Sequence, residues 1–319
     1  MMPAGTVLLS TRAPIGKTAI TGIEMCCNQG FKNLVCGDEI DNEYLYRFLK
    51  SSTAELQALG RGATFKELSK REVERFLIPL PPLERQRECT SKLGAIEGEI
   101  TEARGQLTKL DELVKARFVE MFGDPITNPK QLPIMRIDEI ADVQTGATPL
   151  RSNPEYYGGP IPWIKTGEVA AGLLDNAEET ITELALRETN CKLFPAGTIL
   201  FAMYGQGDTR GKAAILKQAA ATNQACAAIL LNDGYDASFI LAQLNLRYKD
   251  LRSRSLGGNQ KNLSLKIIKA YELVIPSIEQ QIIFMTFVAQ VDRLKADTQL
   301  AIDKLQMLYD SLAQEYFSE

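Results

Sequence analysis

Between Leu93 and Met121 the apolar residues return at alternating spacings of three and four: Leu93, Ile96, Ile100, Ala103, Leu107, Leu110, Val114, Phe118 and Met121. That rhythm is a heptad seam, one apolar stripe on a long helix whose other faces are polar. Pro81-Pro82 suits a first helical turn, and Gly123-Asp124-Pro125 makes a stop. A second run near the C-terminus uses Val288, Val291, Thr298, Ile302, Leu305, Tyr309, Leu312 and Tyr316, entered through a Ser277-x-x-Gln280 capping box. One amphipathic helix of this length is unstable alone in water, so the two are expected to pair. Connectivity makes the pair antiparallel, and at ~1.5 Å per residue about 40 residues form a rod of about 60 Å.

Elsewhere the period shortens. Gly197-Thr-Ile-Leu-Phe-Ala-Met-Tyr204 and Ala225-Cys-Ala-Ala-Ile-Leu-Leu231 read as strands bounded by Gly and Asn-Asp-Gly punctuation. Short helices are predicted over Ser238–Arg247 and Leu263–Ala270.

The same patterns occur twice. At an offset of 195, Gly16-Lys17 recurs as Gly211-Lys212 and Asn28-Gln29 as Asn223-Gln224. Gly62-x-x-x-Lys66-x-Leu68-Ser69 recurs as Gly257-x-x-x-Lys261-x-Leu263-Ser264, and Leu80-Pro81-x-Leu83-Glu84-x-Gln86 as Ile275-Pro276-x-Ile278-Glu279-x-Gln281. Pro3-Ala4-Gly5-Thr6 matches Pro195-Ala196-Gly197-Thr198 at offset 192, so the second copy carries a three-residue insertion. The expected fold class is α+β, with an internal repeat of about 195 residues in near two-fold relation. Residues 125–319 form a whole unit and residues 1–124 only the last part of another, leaving the front of the first unit about 71 residues short. The domains expected are 1–82 (partial), a spacer helix 83–124, a complete globular domain 125–277, and a second spacer helix 278–319.

Composition narrows the chemistry. There is no histidine among the 319 residues, which excludes Ser-His-Asp or Cys-His catalysis, a His base and any His-ligated metal site. Cys26, Cys27, Cys36, Cys89, Cys191 and Cys226 form no Cys-x-x-Cys pair, so no metal site is expected. They read as buried reduced thiols, with Cys26 and Cys27 on opposite faces of a strand. A net charge of −4 gives no global pull toward polyanions. Locally, Arg247, Lys249, Arg252, Arg254, Lys261, Lys266 and Lys269 oppose Asp250 alone. The longest apolar run, Ala225–Leu231, is far short of a membrane span, and Met-Met-Pro-Ala-Gly-Thr at the front is no signal peptide. A cytoplasmic protein is expected.

Two similar heads on a stiff rod suit an extended polymer read at two separated points. With DNA rising ~3.4 Å per base pair, such a rod covers one to two helical turns. At this point the sequence resembles the specificity (S) subunits of Type I restriction-modification systems, over nearly its whole length. The motifs that carry the resemblance are Thr145-Gly-Ala-Thr-Pro149, Asn153-Pro-Glu-Tyr-Tyr-Gly-Gly-Pro-Ile-Pro-Trp-Ile-Lys-Thr-Gly167 and Pro195-Ala-Gly-Thr198. To these are added Asn259-Gln-Lys-Asn-Leu-Ser264, Ile78-Pro-Leu-Pro-Pro-Leu-Glu-Arg-Gln86 and Met121-Phe-Gly-Asp-Pro125.

The resemblance implies that each globular part is a target recognition domain reading half of a bipartite sequence in double-stranded DNA. It implies that the helices set the spacing and dock two modification (methyltransferase) subunits. Adenine N6-methylation with S-adenosylmethionine, and ATP-driven translocation and cleavage by restriction subunits, then belong to partners. The chain itself is expected to be non-catalytic and to need no cofactor. The departure is the first domain, which lacks any counterpart of 145–167; the readings it leaves are a fragment, a gene with a misassigned start, a silent exchange cassette or a partial subunit that self-associates.

The expected recognition surface combines Thr148, Arg151 and Lys165 with the Gly-rich loop carrying Tyr204, Gln206, Asp208, Arg210 and Lys212, and with Asn259, Gln260 and Lys261. Gln and Asn can pair bidentately with adenine and Arg and Lys with guanine, while Asp accepts from cytosine. Insertions between matching copies are where two readers of different half-sites should differ. Asn223-Gln224, common to both copies, fits folding or phosphate contact instead. Three enzyme-like motifs fail. Gly16-Lys17-Thr18 lacks the phosphate-loop glycine at Thr11. Asn153-Pro154-Glu155-Tyr156 has Glu155 where an adenine methyltransferase motif needs a second proline, and no Pro-Asp dipeptide starts a nuclease site. The rival reading is an assembly or interaction protein, built around the coil, that has lost DNA reading.

Overall fold

The computed structural model describes residues 1–12, 14–62, 66–170, 172–205, 207–255 and 262–318. Its residues divide into two units, Met1–Leu110 with Leu294–Glu319, and Asp111–Arg293.

In the first unit, β1 (Val7–Ser10), β2 (Thr18–Ile20) and β3 (Phe31–Leu34) form an antiparallel sheet in the order β2-β1-β3. Helices α1 (Asn42–Ser51), α2 (Thr53–Leu59) and α3 (Lys70–Arg75) follow. Asp41 starts α1 by accepting from the amides of Glu43 and Tyr44, and Ser69 with Glu72 closes a capping box on α3. Val7, Leu9, Leu45, Phe48, Leu49, Leu56 and Leu68 are the core beneath them. Helix α4 (Leu83–Phe122) then begins, and its Cys89, Leu93, Ile96 and Ile100 pack on Ile302, Tyr309, Ala313 and Tyr316 of the C-terminal helix. The Arg85 guanidinium lies 4.8 Å from the centre of the Tyr316 ring, so early residues of α4 meet late residues of its partner and the pair is antiparallel.

The second unit holds β4 (Ile134–Arg136), α5 (Ile137–Ile140), β5 (Ala141–Thr145), β6 (Tyr157–Ile164), β7 (Gly172–Leu174), β8 (Glu179–Ile181) and α6 (Glu183–Glu188). It continues with β9 (Ile199–Ala202), β10 (Ala213–Leu216), β11 (Ala221–Thr222), β12 (Cys226–Leu231), α7 (Ala237–Leu246), α8 (Tyr248–Ser253), α9 (Leu265–Lys269), β13 (Glu272–Val274) and the start of α10 (Ile278–Phe317). The main sheet runs β5-β12-β9-β10-β7, with a three-stranded sheet β11-β6-β8 and the pair β13-β4. Its central strands are apolar throughout because both faces are covered. Ile199, Phe201, Ala213, Ile215, Ala227 and Ile229 face a core completed by Phe239, Ile240 and Leu244 of α7. Leu200, Ala202, Ala214, Leu216, Cys226 and Ala228 face Ile164, Val169 and Phe194.

The repeat is physical. Helices α1 and α7, α2 and α8, α3 and α9, and α4 and α10 each start 195 residues apart, and α4 and α10 are both 40 residues long. Asp236 caps α7 at the position Asp41 holds on α1. Gln86 Nε2 donates to Pro81 O at 2.7 Å, as Gln281 Nε2 does to Pro276 O at 2.9 Å. The outer strands β5 and β7 have no counterpart among the described residues of the first unit. Asp236→Ala is expected to cost about 1 kcal/mol, measurable as a lowered thermal midpoint of the second unit.

Predicted elements shift slightly: the strand over 197–204 occupies Ile199–Ala202, and the helices over 238–247 and 263–270 occupy Ala237–Leu246 and Leu265–Lys269. The cysteine expectation is corrected. Cys26 and Cys27 lie in a loop, with Cys26 exposed, because pairing with β1 resumes only at Phe31; Cys36 is half-buried, and Cys89, Cys191 and Cys226 are buried. Among the described residues, no helix is long and apolar enough to cross a membrane.

Candidate nucleic-acid interface

Strand register gathers the loops of the second unit. Thr145 ends β5 opposite Ala227, and Ala202 ends β9 opposite Cys226, while Ala213 opens β10 opposite Phe201. The segments 146–150, 203–212 and 223–225 therefore leave the main sheet at one end. The end of β6 joins them, because Asn223 N donates to Ile164 O and Thr166 Oγ1 donates to Asn223 Oδ1 at 2.8 Å.

The first segment is tightly held. A Cβ on Gly146 would sit 1.9 Å from Thr222 O, so only glycine fits there. Trp163 Nε1 donates to Ala147 O at 3.1 Å, and the Tyr157 hydroxyl to Pro149 O at 2.7 Å. These bonds leave Thr148 exposed, where its hydroxyl donates to Gln224 Oε1 at 2.6 Å.

Arg151 and Lys165 are brought together, but by carboxylates. The Arg151 guanidinium lies 4.8 Å and 5.0 Å from the Tyr157 and Trp163 ring centres and pairs with Glu179. Lys165 Nζ lies 2.6 Å from Glu178 and 3.2 Å from Glu179. Hydrogen bonds to these carboxylates raise the pKa of both cations, and the bond from Arg151 lowers that of Glu179. A phosphate approaching here has to displace Glu178 and Glu179. Burial raises the pKa of the adjacent Glu168, whose Oε1 is buried without a hydrogen bond.

The loop after β9 is built differently. Tyr204 and Asp208 are exposed, and Arg210 and Lys212 half-buried. Gly211 turns the chain at φ +93°, a conformation that favours glycine, and a Cβ there would press on Arg252 Cγ at 3.0 Å and on the Tyr248 ring at 3.2 Å. Helix α8 braces the loop. Arg252 Nη1 donates to Arg210 O at 3.0 Å and to the Tyr248 hydroxyl at 2.6 Å, and Nη2 donates to Gly207 O at 2.9 Å. The Tyr248 hydroxyl in turn donates to Asp208 O at 2.8 Å. Gln206, Asn259, Gln260 and Lys261 lie outside the described residues.

The basic run from Arg247 to Lys269 is not a free cationic surface, which corrects the charge count. Arg247 is 5% exposed, donates to Glu272 O and stacks 4.4 Å from the Tyr271 ring, and burial lowers its pKa. Arg254 covers the same ring from 4.8 Å and pairs with Asp250, which also accepts from the Tyr271 hydroxyl at 2.6 Å. Guanidinium groups serve here as multi-donor struts. Lys249 and Lys266 are exposed. The sequence reading counted Arg252 only as charge and left Tyr248 aside; their i,i+4 spacing on one helix face was the available signal. It also left Gln224 aside, which the Thr148 hydroxyl holds at the same sheet end.

Comparison with known proteins places this arrangement. The model of the Type I restriction modification DNA specificity domain matches residues 1–110 and 129–304. The Type I restriction enzyme MjaIX specificity subunit of Methanocaldococcus jannaschii is 28% identical over 223 residues, 65% of this chain and 52% of that protein. The EcoKI specificity subunit of Escherichia coli is 20% identical across 96% of this chain and 72% of its own length. This chain thus spans about half the length of the MjaIX subunit. In fold it is similar to a solved chain of a type I R-M system complex, with TM-score 0.67 and 20% identity over 99% of this chain and 82% of that one. It is also similar to the Type I S subunit from M. genitalium, with TM-score 0.55 and 16% identity over 99% and 84%. With the family model covering most of its length, the chain belongs to the Type I restriction modification DNA specificity domain family.

Proposed function

We propose that the chain is a non-catalytic DNA sequence-recognition component of a Type I restriction-modification complex. Residues 125–277 act as one target recognition domain and residues 1–82 as part of another. The helices 83–124 and 278–319 form the spacer that docks methyltransferase subunits, and restriction subunits join through that complex. The observation that carries this is the convergence of the segments 146–150, 203–212 and 223–225 at one sheet end, in a chain whose family is defined by DNA specificity. Thr148, Tyr204, Asp208, Arg210 and Lys212 are the base-reading candidates on that end, while the candidates Gln206, Asn259, Gln260 and Lys261 lie outside the described residues. Arg151 and Lys165 approach phosphate only after giving up Glu178 and Glu179.

The test is co-expression with a Type I modification subunit. The expected result is a stable complex that methylates adenine in a sequence-dependent manner, while the isolated chain binds DNA weakly and loses that binding as salt rises. A complex that forms without sequence-dependent methylation would support the assembly reading instead; failure to form any complex would remove both.

A further inference from the structure

The loop after the first strand of the repeat differs in length between the copies, and so does what holds it. Both loops share the same two anchors. Leu68 N donates to Thr11 O and Leu263 N to Met203 O at the start; Gly16 N donates to Ser10 O and Gly211 N to Ala202 O at the end. Between the anchors the first copy has residues 12–15 and the second 204–210, three more. In the first copy, α2 supplies Thr53, whose Oγ1 donates to Gly16 O at 3.2 Å, and Gln57, whose Nε2 donates to Ile15 O at 3.1 Å. In the second copy the same two repeat positions are Tyr248 and Arg252 of α8. Arg252 repeats the Gln57 bond, on Arg210 O. The extra reach of the two larger side chains goes to Gly207 O and Asp208 O, carbonyls in the longer part of the loop.

We propose that loop and brace form a matched pair in each copy, and that Tyr248 and Arg252 are positioning residues that fix the 203–211 loop for reading its half-site. A longer loop projects further but carries more unsatisfied carbonyls and more freedom to lose on binding. Enlarging the brace from Thr and Gln to Tyr and Arg offsets both. Three Arg252 hydrogen bonds go to the loop carbonyls and to Tyr248, so Arg252 acts through the loop. This rests on the DNA-reading function proposed above.

The experiment gives the second copy the first copy's brace: Tyr248→Thr with Arg252→Gln, and separately Arg252→Lys, which keeps the charge and removes the fork. In the free full-length chain, exchange of the Gly211 and Lys212 amides should accelerate by roughly tenfold while the β12 amides hold. In complex with modification subunits, discrimination between the cognate target and single-base variants of one half-site should fall by about tenfold. Salt-dependent binding to non-cognate DNA should be unchanged. If loop exchange is unaltered in Arg252→Lys, the brace is wrong, whatever the DNA result. If exchange accelerates but discrimination holds, the loop is not the reader. If the unaltered chain gives no sequence-dependent methylation, the DNA-reading function fails, and the exchange result still judges the brace. Should the double variant unfold, Arg252→Lys carries both readouts.

Discussion

Phe284→Ala should destabilise the second unit by about 4 kcal/mol, the middle of the range for deleting a fully buried phenyl group. Phe284 is 0% exposed and stands in a four-ring cluster with Phe118, Phe122 and Phe239, at centroid distances of 5.5, 5.6 and 6.0 Å. Phe118 and Phe122 end α4, Phe284 opens α10 and Phe239 lies on α7, so one ring touches all three helices. Its loss leaves a cavity that three helices cannot close together, and removes edge-to-face contacts beyond the area term. The chain's one tryptophan, Trp163, is buried in this unit, so its fluorescence reports the transition directly. The urea midpoint should fall by about 2 M with an unchanged slope. A fall below about 0.5 M would show that the rings do not hold the unit together. The repeat supplies a control: the equivalent position in the first unit is Cys89, and Cys89→Ala removes far less buried surface, roughly 1 kcal/mol.

That cluster also shows where the sequence was legible. The heptad seam announced both helices and their pairing, because a spacing of three and four needs only the helix itself to be understood. Phe239 on α7 joins Phe118, Phe122 and Phe284 from outside the two long helices, and no period along those helices encodes it. β9 and β12 were readable as unbroken apolar runs covered on both faces. Three-residue strands such as β2, β4 and β8 were not, since they are defined by their neighbours and carry no period of their own. The order β5-β12-β9-β10-β7 joins strands about 80 residues apart in sequence, so the gathering of loops at one sheet end required the register. At the site, Thr145–Pro149 was legible from its motif. The Glu178 and Glu179 partners of Lys165, and the carbonyls occupied by Arg252, were not, because charge counted along the chain says nothing of charge paired across it.

The two copies should also part in acid. Arg47 on α1 is 8% exposed and pairs with Glu97 of α4, and Lys50 Nζ lies 2.7 Å from the same carboxylate. The repeat equivalents are Ala242 and Asp292, so the second unit has no such arginine. Burial alone would raise the pKa of Glu97, but hydrogen bonds from Lys50 and Arg47 outweigh it and hold the carboxyl below its ordinary value of 4.5. A carboxyl depressed in the folded state stabilises in full above its unfolded pKa. That contribution drains away as pH falls below about 4.5 and through the lower folded value. Glu97→Ala leaves the buried Arg47 guanidinium with the more distant Glu43, at 3.8 Å, and should cost about 3 kcal/mol, the low end for a broken buried pair because Glu97 is itself 27% exposed. The measurement is exchange of the α1 amides of Phe48 and Leu49 at pH 7 and at pH 3.5, beside the Trp163 unfolding midpoint. At pH 7 the substitution should accelerate α1 exchange and leave the Trp163 transition in place. At pH 3.5, below the carboxyl's unfolded value, part of that contribution is already lost, so the difference between the two proteins should shrink. An equal difference at both values would mean that Glu97 contributes packing and not charge.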